Sequence, residues 1–196
     1  GYGKVEAVEF LCDKGKALVD AGAGSRDGTA LIRAARFGHA EVVRALLHRS
    51  ADPLVADADG NTACFLASMF GHLPVLQALP VPCLFQVRGG WTALHHAAQW
   101  GKRECLEFII ESLEEVLKTS ESSVTSSCSS VEEFVSHKEM VDGRTALHLA
   151  ACYGHRSCCE YLLSKRADPT VTNNHGETAL DSARMFKRTE CIKIIE

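Results

Sequence analysis

The chain has 196 residues, 46% hydrophobic and 23% charged, which is enough apolar side chain for a sizeable core and excludes a disordered chain. Its formal charge of −4 excludes the strongly basic body of a nucleic-acid-binding domain, and no apolar run reaches the roughly 18 residues that span a bilayer. Charge is unevenly spread: residues 111–140 hold seven Glu against Lys118 and Lys138, so the remainder is close to neutral. Gly1 to Lys4 lack the apolar core of a signal peptide. Nine Cys, an odd number set mostly inside apolar helical patterns, read as reduced small hydrophobes. The expectation is a soluble cytoplasmic protein, with the nucleus open.

Laid on itself, the chain brings Thr29, Thr62, Thr92, Thr145 and Thr178 into one column, each followed by Ala. A period near 33 residues marks stacked units that bury their apolar faces only against one another. Gly3 to Cys12 matches Gly38 to Leu47, so residues 1–24 read as the second half of a unit. Repeats are expected over 25–58, 59–87, 88–111, 141–173 and 174–196. In the first, Thr29 is placed to N-cap a helix from Ala30 to Phe37, which Gly38 ends. A second helix, about Ala40 to Arg49, sets Val42, Val43, Leu46 and Leu47 on one face. Ala pairs at 34–35, 97–98 and 150–151 allow close approach of neighbouring helices.

In the next unit Pro80 and Pro82 predict a helix end near Leu79 and an irregular, partly apolar link over 81–87. Leu113, Val116 and Leu117 carry the following unit's second helix on to about Lys118. The offset from Thr92 to Thr145 exceeds the period, which places an acidic, Ser-rich insertion at 112–140, flexible over 119–130 and partly disordered. In the last unit Met185-Phe186-Lys187-Arg188 lacks a turn glycine, and both chain ends read as cutting through units.

Thr145-Ala146-Leu147-His148, Gly154-His155, Leu162-Leu163 and Ala167-Asp168-Pro169, together with Thr92-Ala93-Leu94-His95 and Gly38-His39, resemble the ankyrin repeat family. The resemblance covers nearly the whole chain apart from 111–140. It implies an all-α solenoid of helix-turn-helix units with hairpin fingers, about five repeats after a partial one. The family's Pro after Thr is Ala throughout, and its bridging His survives only as His95 and His148; Ile32, Phe65 and Asp181 stand elsewhere, implying less rigid junctions there.

The resemblance also implies a concave partner-binding face built from finger tips and the ends of first helices. Eight residues after each Thr stand Phe37, Phe70, Trp100, Tyr153 and Phe186, all aromatic; at seven stand Arg36, Met69, Gln99, Cys152 and Met185. The tips add Arg26, Arg88, Trp91 and Arg144, among others. Such residue types dominate protein interfaces, although the aromatic column equally suits packing on the next unit. The expected groove has Phe70, Trp91, Trp100 and Tyr153 as anchors and Arg88 and Arg144 at its rim. Trp91 in particular has little core to enter. Ser129 and Ser130, each three residues before a Glu, read as phosphorylation candidates near that rim. His148 with Cys152 and His155 with Cys159 have metal-like spacing but fall in framework columns. The reading is a non-catalytic module, monomeric as a fragment, binding a protein or peptide and neither nucleic acid nor membrane, without cofactor or metal. Its alternative is the regulatory or recruiting part of a larger enzyme such as a kinase or acyltransferase.

Overall fold

The computed structural model describes residues 19–26, 28–119 and 130–196. Among them are eleven α-helices: α1 (Ala30–Arg36), α2 (Ala40–His48), α3 (Ala63–Phe70), α4 (Leu73–Leu76), α5 (Ala93–Gln99), α6 (Arg103–Lys118), α7 (Val131–Val135), α8 (Ala146–Tyr153), α9 (Arg156–Ser164), α10 (Ala179–Met185) and α11 (Thr189–Ile195). A 3-10 turn covers Val81–Phe85. Extended pairing among the described residues is limited to the isolated bridges Ala56–Thr62 and Arg88–Trp91. The helices fall into two compact units, one up to Leu84 and one from Phe85 onward.

The recurring threonines explain why helices start where they do. Each of Thr29, Thr62, Thr92, Thr145 and Thr178 is an N-cap whose hydroxyl accepts from the amide three residues on, at 3.2–3.4 Å. Such a cap is worth about 1 kcal/mol. At Thr92, Thr145 and Thr178 the side chain three residues on, His95, His148 or Asp181, reaches back to the cap amide, so Asp181 replaces the imidazole in this local task. In the turn without a glycine, Lys187 itself takes the left-handed conformation, with φ of 54°.

In the unit up to Leu84, α1 packs on α2 and α3, and α3 on α4, burying Leu31, Ile32, Val43, Leu46, Leu66, Val75 and Leu76. Helix α4 spans four residues, although its final turn bonds on to Leu79, whose amide donates to Val75 and Leu76. Pro80, with no amide to donate, stops it. Instead of an irregular link, the 3-10 turn follows, and it buries Cys83, Leu84 and Phe85.

From Phe85 onward α8 is the central helix, packed on α5, α9 and α10, while α9 also meets α6 and α11. Buried Ala97, Ala98, Ala150 and Ala151 keep facing side chains small at these contacts. Helix α6 runs 16 residues to Lys118, burying Cys105, Leu106, Ile109, Ile110 and Leu113. Residues 130–140, expected to lie in the insertion, are built into this unit. Ser130 caps α7, Phe134 packs edge-on to Phe85 with ring centroids 5.7 Å apart, and Val135 is buried. Apart from Thr119 and Ser130, the stretch expected to be flexible lies outside the described residues.

Candidate interaction surface

Three of the fingers, those before α3, α8 and α10, are each held from inside by one acceptor side chain. Asp57 Oδ1 accepts from the amides of Asp59 and Asn61, and Asn173 Oδ1 from those of His175 and Glu177. Both stand five residues before their threonine. Glu139 stands six before Thr145 and does the same task with one more methylene, accepting from Val141 (2.7 Å), Asp142 (2.7 Å) and Arg144 (3.0 Å). Burial works against its charged form, but the amides of Arg144, Val141 and Asp142 outweigh that and hold its pKa below the ordinary glutamate range. A fixed period hides Glu139 because this turn is one residue longer; an acceptor five or six residues before Thr62, Thr145 and Thr178 is the signal that finds it.

The finger at Arg88 to Trp91 is a two-residue hairpin. Arg88 and Trp91 exchange both backbone hydrogen bonds, and Gly89 and Gly90 supply φ of 55° and 78°, the pair of positive values such a turn needs. This tight return folds Trp91 back onto the helix it precedes. Its ring lies 5.1 Å from that of His96 and 5.8 Å from that of His95. Against the expectation that a tip tryptophan has little core to enter, Trp91 is half-buried, because the hairpin is too short to project it.

The column eight residues after each Thr is exposed in every unit. Phe37, Phe70, Trp100, Tyr153 and Phe186 retain 45–63% of their accessible surface. Phe37, Phe70 and Tyr153 lie beside the histidine two residues on, at 6.2–6.4 Å. Met69 is half-buried, and Arg26 and Arg88 are exposed. Arg144 is half-buried, 3.6 Å from Asp142. Phe37, Met69, Phe70 and Arg26 belong to the first compact unit, and Arg88, Trp91, Trp100, Arg144 and Tyr153 to the second. Ser130 is a cap residue, its hydroxyl accepting from Glu133; Ser129 lies outside the described residues.

Histidines brace this surface from below. His95 Nε2 bonds the His137 carbonyl and His148 Nε2 that of Glu177, each joining a helix to the next finger. A second brace, unforeseen in the sequence, starts at the Gly-His turns: His72 bonds the Arg36 carbonyl and His155 that of Gln99. Arg188 replaces histidine in the last unit and donates to the Cys152 carbonyl. Burial, helped by the nearby His137, pushes the His95 pKa down to about 4, and burial alone takes His96 to about 4. Both rings are neutral near pH 7. Burial also raises the thiols of Cys83, Cys105 and Cys158 to about 11, and that of Cys159 further. These are packing residues and poor nucleophiles. Among the described residues no group of three or more His, Cys, Asp and Glu is placed to hold a metal, and no helix is long and apolar enough to cross a membrane.

Comparison with known proteins bears on the same pattern. Models of ankyrin repeats match residues 31–79, 89–116 and 122–195. The E3 ubiquitin-protein ligase XBAT33 of Arabidopsis thaliana is 32% identical over 163 residues, covering 76% of this chain and 31% of the ligase. The putative palmitoyltransferase ZDHHC13 of Danio rerio is 26% identical over 188 residues, 92% of this chain and 26% of that protein. A putative glutaminase 3 of Caenorhabditis elegans is 41% identical over 61 residues, 31% of this chain and 10% of the relative. The chain thus spans a third or less of the length of these relatives. With its capped helix pairs, its bridging histidines and these matches across the sequence, the chain belongs to the ankyrin repeat family.

Proposed function

We propose that the chain is a non-catalytic interaction module that holds an extended peptide segment of a partner protein against the exposed ends of its first helices. The observation that carries this reading is the aromatic column. Rings such as Trp100 and Tyr153 stay about half exposed although the surrounding helices are well packed, and large aromatics left at a surface are the usual anchors of interfaces. From Phe85 onward Trp100 and Tyr153 act as anchors, Trp91 as a half-buried flank, and Arg88 and Arg144 as the rim. Arg26, Phe37, Met69 and Phe70 repeat the pattern in the preceding unit. Panning a random peptide library against the chain tests this. Selected peptides should bind Trp100→Ala and Tyr153→Ala at least tenfold more weakly, a loss of about 1.4 kcal/mol, with folding unchanged. Unaltered affinity in both folded variants refutes the reading.

A second reading places the module inside a larger enzyme as its recruiting or regulatory part. It is favoured by the ligase and palmitoyltransferase relatives, of which the matched region is under a third. Fold alone does not decide between them, because function resides in sites carried on folds. The full-length sequence separates the two: a catalytic domain on the same polypeptide, whose substrate modification falls with Trp100→Ala, supports the second.

A further inference from the structure

We infer that the partner segment held from Phe85 onward is a proline-rich peptide in the polyproline II conformation, with a proline at every third position over the rings of Trp100, Tyr153 and Phe186; this rests on the peptide-binding reading above. Each ring closes the first helix of its repeat. Trp100 caps α5, Tyr153 is the last residue of α8 and Phe186 caps α10, and all three are about half exposed. Helix α8 packs directly on both α5 and α10, and the three helix ends are held level. His155 bonds the Gln99 carbonyl at 3.0 Å, and Arg188, in the same place one repeat on, donates to the Cys152 carbonyl at 3.0 Å. Those carbonyls stand one residue before Trp100 and Tyr153. Successive rings are therefore one helix-to-helix step apart, about 8–10 Å.

That step selects among backbone conformations. Polyproline II repeats every three residues and about 9.3 Å, so every third side chain meets the next ring. A β-strand returns a side chain to the same face after about 6.6–6.8 Å and loses register with the rings. An α-helix returns one after seven residues, about 10.5 Å, beyond the step. The polar handles of the row suit the same occupant. Gln99 Nε2 donates to the Tyr153 hydroxyl at 3.4 Å, which leaves the tyrosine proton to donate outward. The indole N–H of Trp100 makes no hydrogen bond among the described residues. A proline-rich chain offers carbonyl acceptors and few amide donors, so outward donors set beside ring faces complement it. Charge does not select here, because Arg144 pairs with Asp142 and Arg184 with Glu196. Polyproline II is largely ordered before it binds, which is why rows of exposed aromatics can hold it.

The test uses three pools of fluorescein-labelled twelve-residue peptides: Pro at every third position, Leu at every third position, and Leu at every second, with the other positions randomised among Ser, Thr, Asn and Gln. Binding to the chain is read by anisotropy. The proline pool should bind at least tenfold more tightly than either leucine pool, with little change between low and physiological salt. Its affinity should fall at least tenfold in folded Trp100→Ala and Tyr153→Ala variants, and severalfold in Tyr153→Phe, which keeps the ring and loses the donor. A leucine pool that binds as tightly as the proline pool, with binding lost in Trp100→Ala, overturns the polyproline II occupant and leaves peptide binding standing. Proline-pool binding that survives both alanine variants overturns it as well, and so does panning that yields only binders without regularly spaced proline. A proline pool that does not bind also overturns it; if panning fails too, peptide binding falls with it.

Discussion

Replacing Glu139 by Ala removes the acceptor that shapes the finger before α8. Three amides lose a charged partner at 2.7, 2.7 and 3.0 Å. A hydrogen bond to a charged group contributes about 1.5–3 kcal/mol. Not all of this is lost, because Val141 is exposed and Asp142 half-exposed, so water can replace the carboxylate at their amides. The expected cost is about 3 kcal/mol. Glu139→Gln keeps an oxygen in place without the charge and should cost roughly half as much. Both tryptophans, Trp91 and Trp100, lie in the same compact unit, so urea unfolding followed by tryptophan fluorescence reports on the part that changes. Because the folded pKa of Glu139 lies below that of an unfolded glutamate, its contribution is present above the ordinary glutamate range and disappears as pH falls through the folded value. A Glu139→Ala protein within 0.5 kcal/mol of the parent, or a Gln variant as damaged as the Ala one, would refute the reasoning.

Other outcomes follow from the same contacts. With His95 and His96 held neutral down to about 4 against an ordinary 6.5, the unfolded chain takes up protons first. Stability is then full above about pH 6.5 and falls as pH drops towards 4, and His95→Gln should flatten that dependence in urea titrations at pH 7, 6 and 5. Phe134→Ala, which empties the site against Phe85, should cost about 3–5 kcal/mol; a loss under 1 kcal/mol would mean that α7 is not anchored there. Trp100→Ala should change stability by no more than about 0.5 kcal/mol, as expected of a surface ring, which urea unfolding checks. Iodoacetamide at pH 8 should leave Cys64, Cys83, Cys105, Cys158 and Cys159 unmodified in the native chain and label them after denaturation, read by peptide mass spectrometry.

Repetition made most of the fold legible in the sequence. A threonine that must cap, alanines that must let helices approach and a period that must stack were visible in Thr145 to Ala151 alone, because each rests on local chemistry copied many times. The same column reading found the exposed aromatic row. It failed where the chain departs from its period. Glu139 was hidden by one extra turn residue. Phe134 and Val135 fall within an acidic, Ser-rich insertion by sequence, because only the fold buries them and brings Phe85, about fifty residues earlier, against Phe134. Trp91, which by its place at a tip has little core to enter, is laid on His95 and His96 by the two-residue hairpin. Sequence by itself determined where helices begin, which faces they bury and which residues occupy the outer columns, since these follow from contacts within three or four residues. Tertiary structure decided which polar side chains are tied from one repeat to the next, because hydrogen bonds between residues 138 and 172 or 152 and 188 exist only once the repeats stack.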